Sequence, residues 1–239
     1  MVKNNIIAGL LFALFIYACA PSSPLERLNR DLSQFSEYSI ILEDMKEEGN
    51  FFKNYFHRYK IVYGKKSGNS KELEYQSETT DWYKISKKEY EKYYGFLGMV
   101  LFSKSEDDKI SDDKYPPGYQ YVGDSRYGTW RQDSGGNSFW EFYGKYALLS
   151  HMFGMFGRPV YRTDWNGYRN YRNRGSPYYG SKGEFGTNGK YTKRTNKSFF
   201  ERRKKMESVR KARFSQRIQQ RVRRSKMSGF RRRSGGFGK

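Results

Sequence analysis

The sequence predicts an α+β fold: a small aromatic-rich domain of helices and a short antiparallel sheet, followed by a largely disordered basic tail with one amphipathic helix. Three observations carry that expectation. Apolar residues recur at helical spacing after residue 24, an alternating segment near residue 60 reads as a strand, and charge divides sharply near Gly157-Arg158-Pro159. Helix, then strands, then helices is an α+β order, unlike the regular βαβ alternation of a parallel sheet. The domain is expected over 25–157 and the tail over 158–239.

Leu25, Leu28, Leu32, Phe35, Leu42 and Met45 are separated by three or four residues, or by their sum. That is one apolar stripe on a helix of about six turns, punctuated by Pro24 before and Gly49 after. Tyr55, His57, Tyr59, Ile61 and Tyr63 then alternate with Phe56, Arg58, Lys60 and Val62, which predicts a strand. The turn 64–70 (GKKSGNS) leads to a second strand within 73–85 that pairs back. Ser86 and Glu89 have capping-box spacing for a short helix carrying Tyr90, Tyr93 and Tyr94. Residues 98–102 (GMVLF) predict a strand, 103–114 a polar acidic loop, and 123–136 a loop with one short strand. The run 139–156 (FWEFYGKYALLSHMFGMF) is apolar enough to predict a helix, either buried or with its aromatic residues at a bilayer interface.

Charge separates the two regions. Residues 1–157 hold 20 Lys and Arg against 21 Asp and Glu, whereas 158–239 hold 26 against 4 and no Leu at all. A segment so poor in aliphatic residues is expected to bury too little to offset chain entropy. Its arginines fall first among aromatic residues, as Arg162, Arg169, Arg172 and Arg174. Ser198-Phe199-Phe200-Glu201 has capping-box spacing and predicts a helix over about 199–226. That helix carries Arg202, Arg203, Lys204, Lys205, Arg210, Lys211, Arg213, Arg217, Arg221, Arg223 and Arg224, with Met206, Phe214, Ile218 and Val222 near one side; Arg231, Arg232 and Arg233 follow. Arginine pairs bidentately with phosphates and carboxylates, and a basic amphipathic helix is a membrane-surface or polyanion-binding element. These residues are the candidate polyanion site.

The N-terminal residues bear on location. Lys3 precedes an unbroken apolar run over 6–17, shorter than the roughly 20 residues a spanning helix needs and suited to an export signal. It ends in Ile16-Tyr17-Ala18-Cys19, followed by Ala20-Pro21-Ser22-Ser23-Pro24, and Cys19 is the only cysteine. This segment resembles the bacterial lipobox. The resemblance implies a signal peptide over 1–18, cleavage before Cys19, a diacylglycerol on its sulfur and a lipidated tether over 19–24. Ala20, rather than Asp, implies outer-membrane sorting, on the periplasmic side, where the source has two membranes. With Cys19 lipidated, no thiol remains for a disulfide, a thiolate nucleophile or a metal site.

No catalytic constellation emerges. His57 and His151 are the only histidines, too few for a metal site without carboxylates. A G-x-S-x-G elbow is absent. Gly64-Lys65-Lys66-Ser67 lacks the earlier glycine of a phosphate loop, since Tyr59 stands there. The acidic run 106–113 lacks the turn glycine and terminal Glu of a calcium loop. The expectation is therefore a non-enzymatic envelope lipoprotein, without a cofactor, whose tail binds an anionic lipid headgroup, lipopolysaccharide phosphate or acidic wall polymer. The alternative is a protein-interaction subunit of an envelope complex, whose tail folds on an acidic partner protein. Export argues against nucleic acid, and RNA returns as a candidate only if Cys19 is not processed.

Overall fold

The computed structural model describes residues 23–49, 52–66, 73–105, 109–155 and 157–231. The expected signal peptide over 1–18, Cys19, Arg232 and Arg233 lie outside them, and of Arg231 only the backbone is described. The chain forms two compact units, Met1–Thr192 and Lys193–Lys239. The first is α+β, with a six-stranded antiparallel sheet, a separate two-stranded hairpin and short helices.

Helix α1 (Pro24–Leu32) opens on a capping box. Ser23 Oγ accepts from the Glu26 N–H and Glu26 accepts from the Ser23 N–H, each at 3.1 Å. The helix stops at Leu32, not near Gly49 as its apolar spacing suggests. Strand β1 (Glu37–Glu48) takes over and is hydrogen-bonded on both sides, to β2 (Asn54–Lys66) and to β5 (Val100–Lys104). Tyr38, Ile40, Ile41 and Leu42 are all buried. A central strand buried on both faces shows a continuous apolar run instead of alternation, and β-branched Ile40 and Ile41 favour the pleat over a helix.

The alternating segment forms β2, which also pairs with β3 (Leu73–Thr79) and β4 (Tyr83–Ile85). Ser86 Oγ accepts from the Glu89 N–H at 3.1 Å and caps helix α2 (Lys87–Tyr93). A two-residue strand, β6 (Ile110–Ser111), completes the order β3-β2-β1-β5-β6.

The expected helix over 139–156 is instead a strand and a short helix. Residues Ser138–Phe142 form β8, which pairs with β7 (Gly128–Gln132) and sets Trp130 opposite Trp140. After a single 3-10 turn at Gly144–Tyr146, Ala147–Met152 becomes α-helix, α3. Aromatic residues favour strands, and a Cβ on Gly128 would lie 2.8 Å from the Trp140 ring, so glycine lets that indole lie against the neighbouring strand.

Residues 158–192, expected in the flexible tail, belong to the folded unit. Val160, Tyr168, Tyr178, Thr187 and Thr192 are buried. The segment is bonded in through Trp140 N–H to Val160 O (2.9 Å), Tyr178 N–H to Lys114 O (2.8 Å) and Thr187 N–H to Gly95 O (3.1 Å). It contains helix α4 (Arg162–Asn173), and α5 (Lys190–Thr195) follows. Tyrosine supplies the burial that absent leucine does not, since an aromatic ring removes roughly 150–250 Å² from water. The core is correspondingly a mesh of rings, with Tyr115, Tyr119, Tyr121, Tyr127, Trp140 and Phe153 among its members.

Candidate functional site

The second unit contains helix α6 (Lys197–Arg231), longer at both ends than expected. At a rise of about 1.5 Å per residue, its 35 residues extend about 52 Å. It carries 14 Lys and Arg against Glu201 and Glu207. Arg202 is half-buried; from residue 203 to 224 every side chain except half-buried Met206 is exposed. Burial therefore does little for this stretch. Arg, Lys, Gln, Glu and Ala are good helix formers, and Glu207 pairs with Lys211 at 2.7 Å one turn on.

Two stripes run side by side along it. Arg210, Arg213, Arg217, Arg221 and Arg224 follow at steps of three or four and lie on one face. Phe214, Ile218 and Val222 each stand one residue after an arginine of that stripe, about 100° round the axis. They are 66 %, 46 % and 49 % exposed. Arg203 lies over the Phe199 ring at 5.7 Å. Among the described residues, the side chains of Arg217, Arg221, Arg223 and Arg224 make no hydrogen bond, ion pair or ring contact. Lys204 and Lys205 are exposed on the preceding turns.

The other candidate arginines belong to the first unit. Arg162 lies over Trp130 (4.5 Å) and Trp165 (5.5 Å), and Arg169 lies over Trp165 (4.9 Å). Arg174 covers Tyr171 at 4.8 Å and donates to Asn170 O. Arg172 pairs with Asp113 at 3.4 Å. All four remain exposed, yet each already has a partner within the folded unit.

That unit also contains a cleft of about 400 Å³ that sequence reasoning missed. Phe153, Met155, Phe185 and Val160 supply apolar wall, and Arg158, Asp164, Lys182 and Glu184 supply charge. The Arg158 guanidinium is held over the rings of Tyr191 (3.8 Å) and Phe185 (5.0 Å). Its Nη1 is buried without a hydrogen-bond partner. Asp164, in the first turn of α4, accepts from the Tyr119 and Tyr178 hydroxyls and from the Ser181 N–H at 3.0 Å. Burial, with the Asp164 charge beside them, pushes both tyrosines well above their ordinary range. Glu184 accepts from the Lys182 N–H at 3.0 Å. Tyr191 is itself fixed by donating to Gly154 O at 2.7 Å. The pieces of this wall are distant in sequence, and the only local signal was Arg158 itself, which marks the charge boundary.

His57 is fully buried on β2 among Tyr59, Tyr90 and Tyr93, with Nδ1 3.1 Å from the Tyr59 hydroxyl. Burial pushes it down to about 3, so the imidazole is neutral at ordinary pH. His151 is exposed on α3. Among the described residues, no three His, Cys, Asp or Glu side chains are grouped to hold a metal ion, and no helix is long and apolar enough to cross a membrane. No family model, curated protein or solved structure matches the chain.

Proposed function

We propose that this chain is a non-enzymatic lipoprotein of the bacterial cell envelope, anchored through a lipid on Cys19, whose helix α6 lies on an anionic envelope surface. The observation that supports the reading is the pair of stripes on α6. An apolar ridge of Phe214, Ile218 and Val222 beside a ridge of arginines suits the boundary between acyl chains and phosphate headgroups. The ridge enters the apolar side while the guanidiniums meet phosphate oxygens bidentately. This preference for a lipid surface narrows the broader expectation of an anionic envelope component, because a fully hydrated polymer offers nothing to the apolar ridge. It also moves the proposed contact from the whole of 158–239 to α6.

Vesicle sedimentation tests the reading, using the chain from Ala20 onward so that no lipid anchor contributes. Binding is expected to phosphatidylglycerol-containing vesicles and not to pure phosphatidylcholine, weakening steeply between about 0.05 M and 0.5 M salt. Each headgroup contact contributes about 1 kcal/mol, so Arg217→Gln, Arg221→Gln and Arg224→Gln together should weaken binding on the order of 100-fold. Equal binding to neutral vesicles, or no loss in the triple variant, would sink the proposal. Intact mass of the membrane-extracted protein checks the anchor separately: a chain starting at diacylglyceryl-Cys19 is expected.

A further inference from the structure

We infer that the cleft beside Arg158 is a binding site for a small monocarboxylate with a flat apolar body, distinct from the surface role of α6. The argument begins with which charges in the cleft are already satisfied. Asp164 is fully engaged by Tyr119, Tyr178 and the Ser181 N–H, and Glu184 is held by the Lys182 N–H. Arg158 is not so engaged: its guanidinium makes ring contacts only, and Nη1 is buried with no acceptor. Nη1 is closed off from solvent, so the donors a ligand can reach are at the other edge of the guanidinium, Nε and Nη2, in a side chain that lines the cleft. A planar fork of N–H donors matches a carboxylate.

Charge selects the order of the anion. Two cations, Arg158 and Lys182, share the wall with two carboxylates, Asp164 and Glu184. A dianion such as a phosphate monoester would face both carboxylates, whereas one negative charge is matched by the unpaired guanidinium. The volume of about 400 Å³ falls in the range of small-molecule sites. Phe153, Met155 and Phe185 offer apolar and aromatic surface for the rest of the ligand.

Calorimetric titration of the full chain with 2-naphthoate, 2-naphthamide and 2-naphthyl phosphate tests this. The acid should bind with a stoichiometry of one and at least about tenfold more tightly than the amide or the phosphate, the gap expected of one charge-assisted pair. Arg158→Gln should remove that advantage. The triple Gln variant at 217, 221 and 224 should leave it intact, which separates this site from α6. Should Arg158→Gln fail to fold, amide NMR of the unaltered chain decides: the acid should shift Gly154, Thr163 and Ser181. Equal affinity for acid and amide, tighter binding of the phosphate, or shifts confined to 203–224 would each overturn the inference.

Discussion

Residues 158–192 and helix α6 are both 35 residues long and both rich in arginine, yet they take opposite fates. The first stretch holds seven Lys and Arg against eight aromatic residues; α6 holds 14 against four. Where rings match cations in number, the guanidiniums settle on them. Arg158, Arg162, Arg169 and Arg174 all lie over tyrosine, phenylalanine or tryptophan rings. Where cations outnumber rings, as between 217 and 224, they stand in solvent without side-chain partners among the described residues. The same residue type is thus a packing element in one stretch and, between 217 and 224, an exposed surface charge in the other. Net charge alone does not distinguish the two; the ratio of cation to ring does.

The largest test of that contrast is Tyr168→Ala. Tyr168 is 3 % exposed and sits against Tyr115, Tyr119 and Tyr178. Removing a large ring from such a site should cost about 3–4 kcal/mol and lower the melting temperature by roughly 10 °C. Ile218→Ala in α6 should leave the melting of the folded unit unchanged. A melting temperature indifferent to Tyr168 would mean that 158–192 is a tail after all.

A second test uses pH, to which the two regions should respond differently. His57 is held neutral down to about pH 3 when folded, whereas in the unfolded chain it protonates below about 6.5. Between those values the unfolded state binds the extra proton, so the stability contribution is complete above pH 6.5 and falls as pH drops. From pH 7 to pH 5 the loss should be on the order of 2 kcal/mol. Urea denaturation at the two pH values measures it, and His57→Gln, which keeps a polar partner for Tyr59, should remove most of the dependence. Arginine as a residue type is cationic at any pH in this window, so anionic-vesicle binding should stay level. Stability that is flat in the parent chain, or equally pH-dependent in the variant, would show that another group controls the response.

The legible parts of the fold were those in which one face meets solvent. Strand β2 announced itself by alternation, and α2 by Ser86 and Glu89, because each signal is local. Strand β1 was misread because Tyr38, Ile40, Ile41 and Leu42 are buried on both sides, leaving no period to detect. A helical stripe through Leu42 and Met45 fitted only by passing over Tyr38, Ile40 and Ile41. Segment 158–192 was misread because composition rules weigh aliphatic residues, while Tyr168 and Tyr178 bury themselves among other rings. The basic helix was legible, though it begins at Lys197, so Ser198 lies within it and does not cap it; its two stripes depend on a register that extends through 210–224. The cleft was illegible: Arg158, Asp164 and Phe185 meet Phe153 and Tyr119 only after the chain has folded back.

The smallest effect tests the contrast most directly. Arg162→Lys keeps the charge but loses the planar group that lies over Trp130 and Trp165. Because Arg162 is exposed, the loss should be only about 0.5–1 kcal/mol, read as a fall in melting temperature of about 2 °C. Arg221→Lys, made where no ring is in contact, should cost the folded unit nothing. The same exchange should reverse in rank when vesicle binding is measured: Arg221→Lys weakens it by replacing a bidentate fork with a point charge, and Arg162→Lys leaves it alone. Equal effects of both substitutions in both assays would mean that the two stretches are not divided by what their arginines touch.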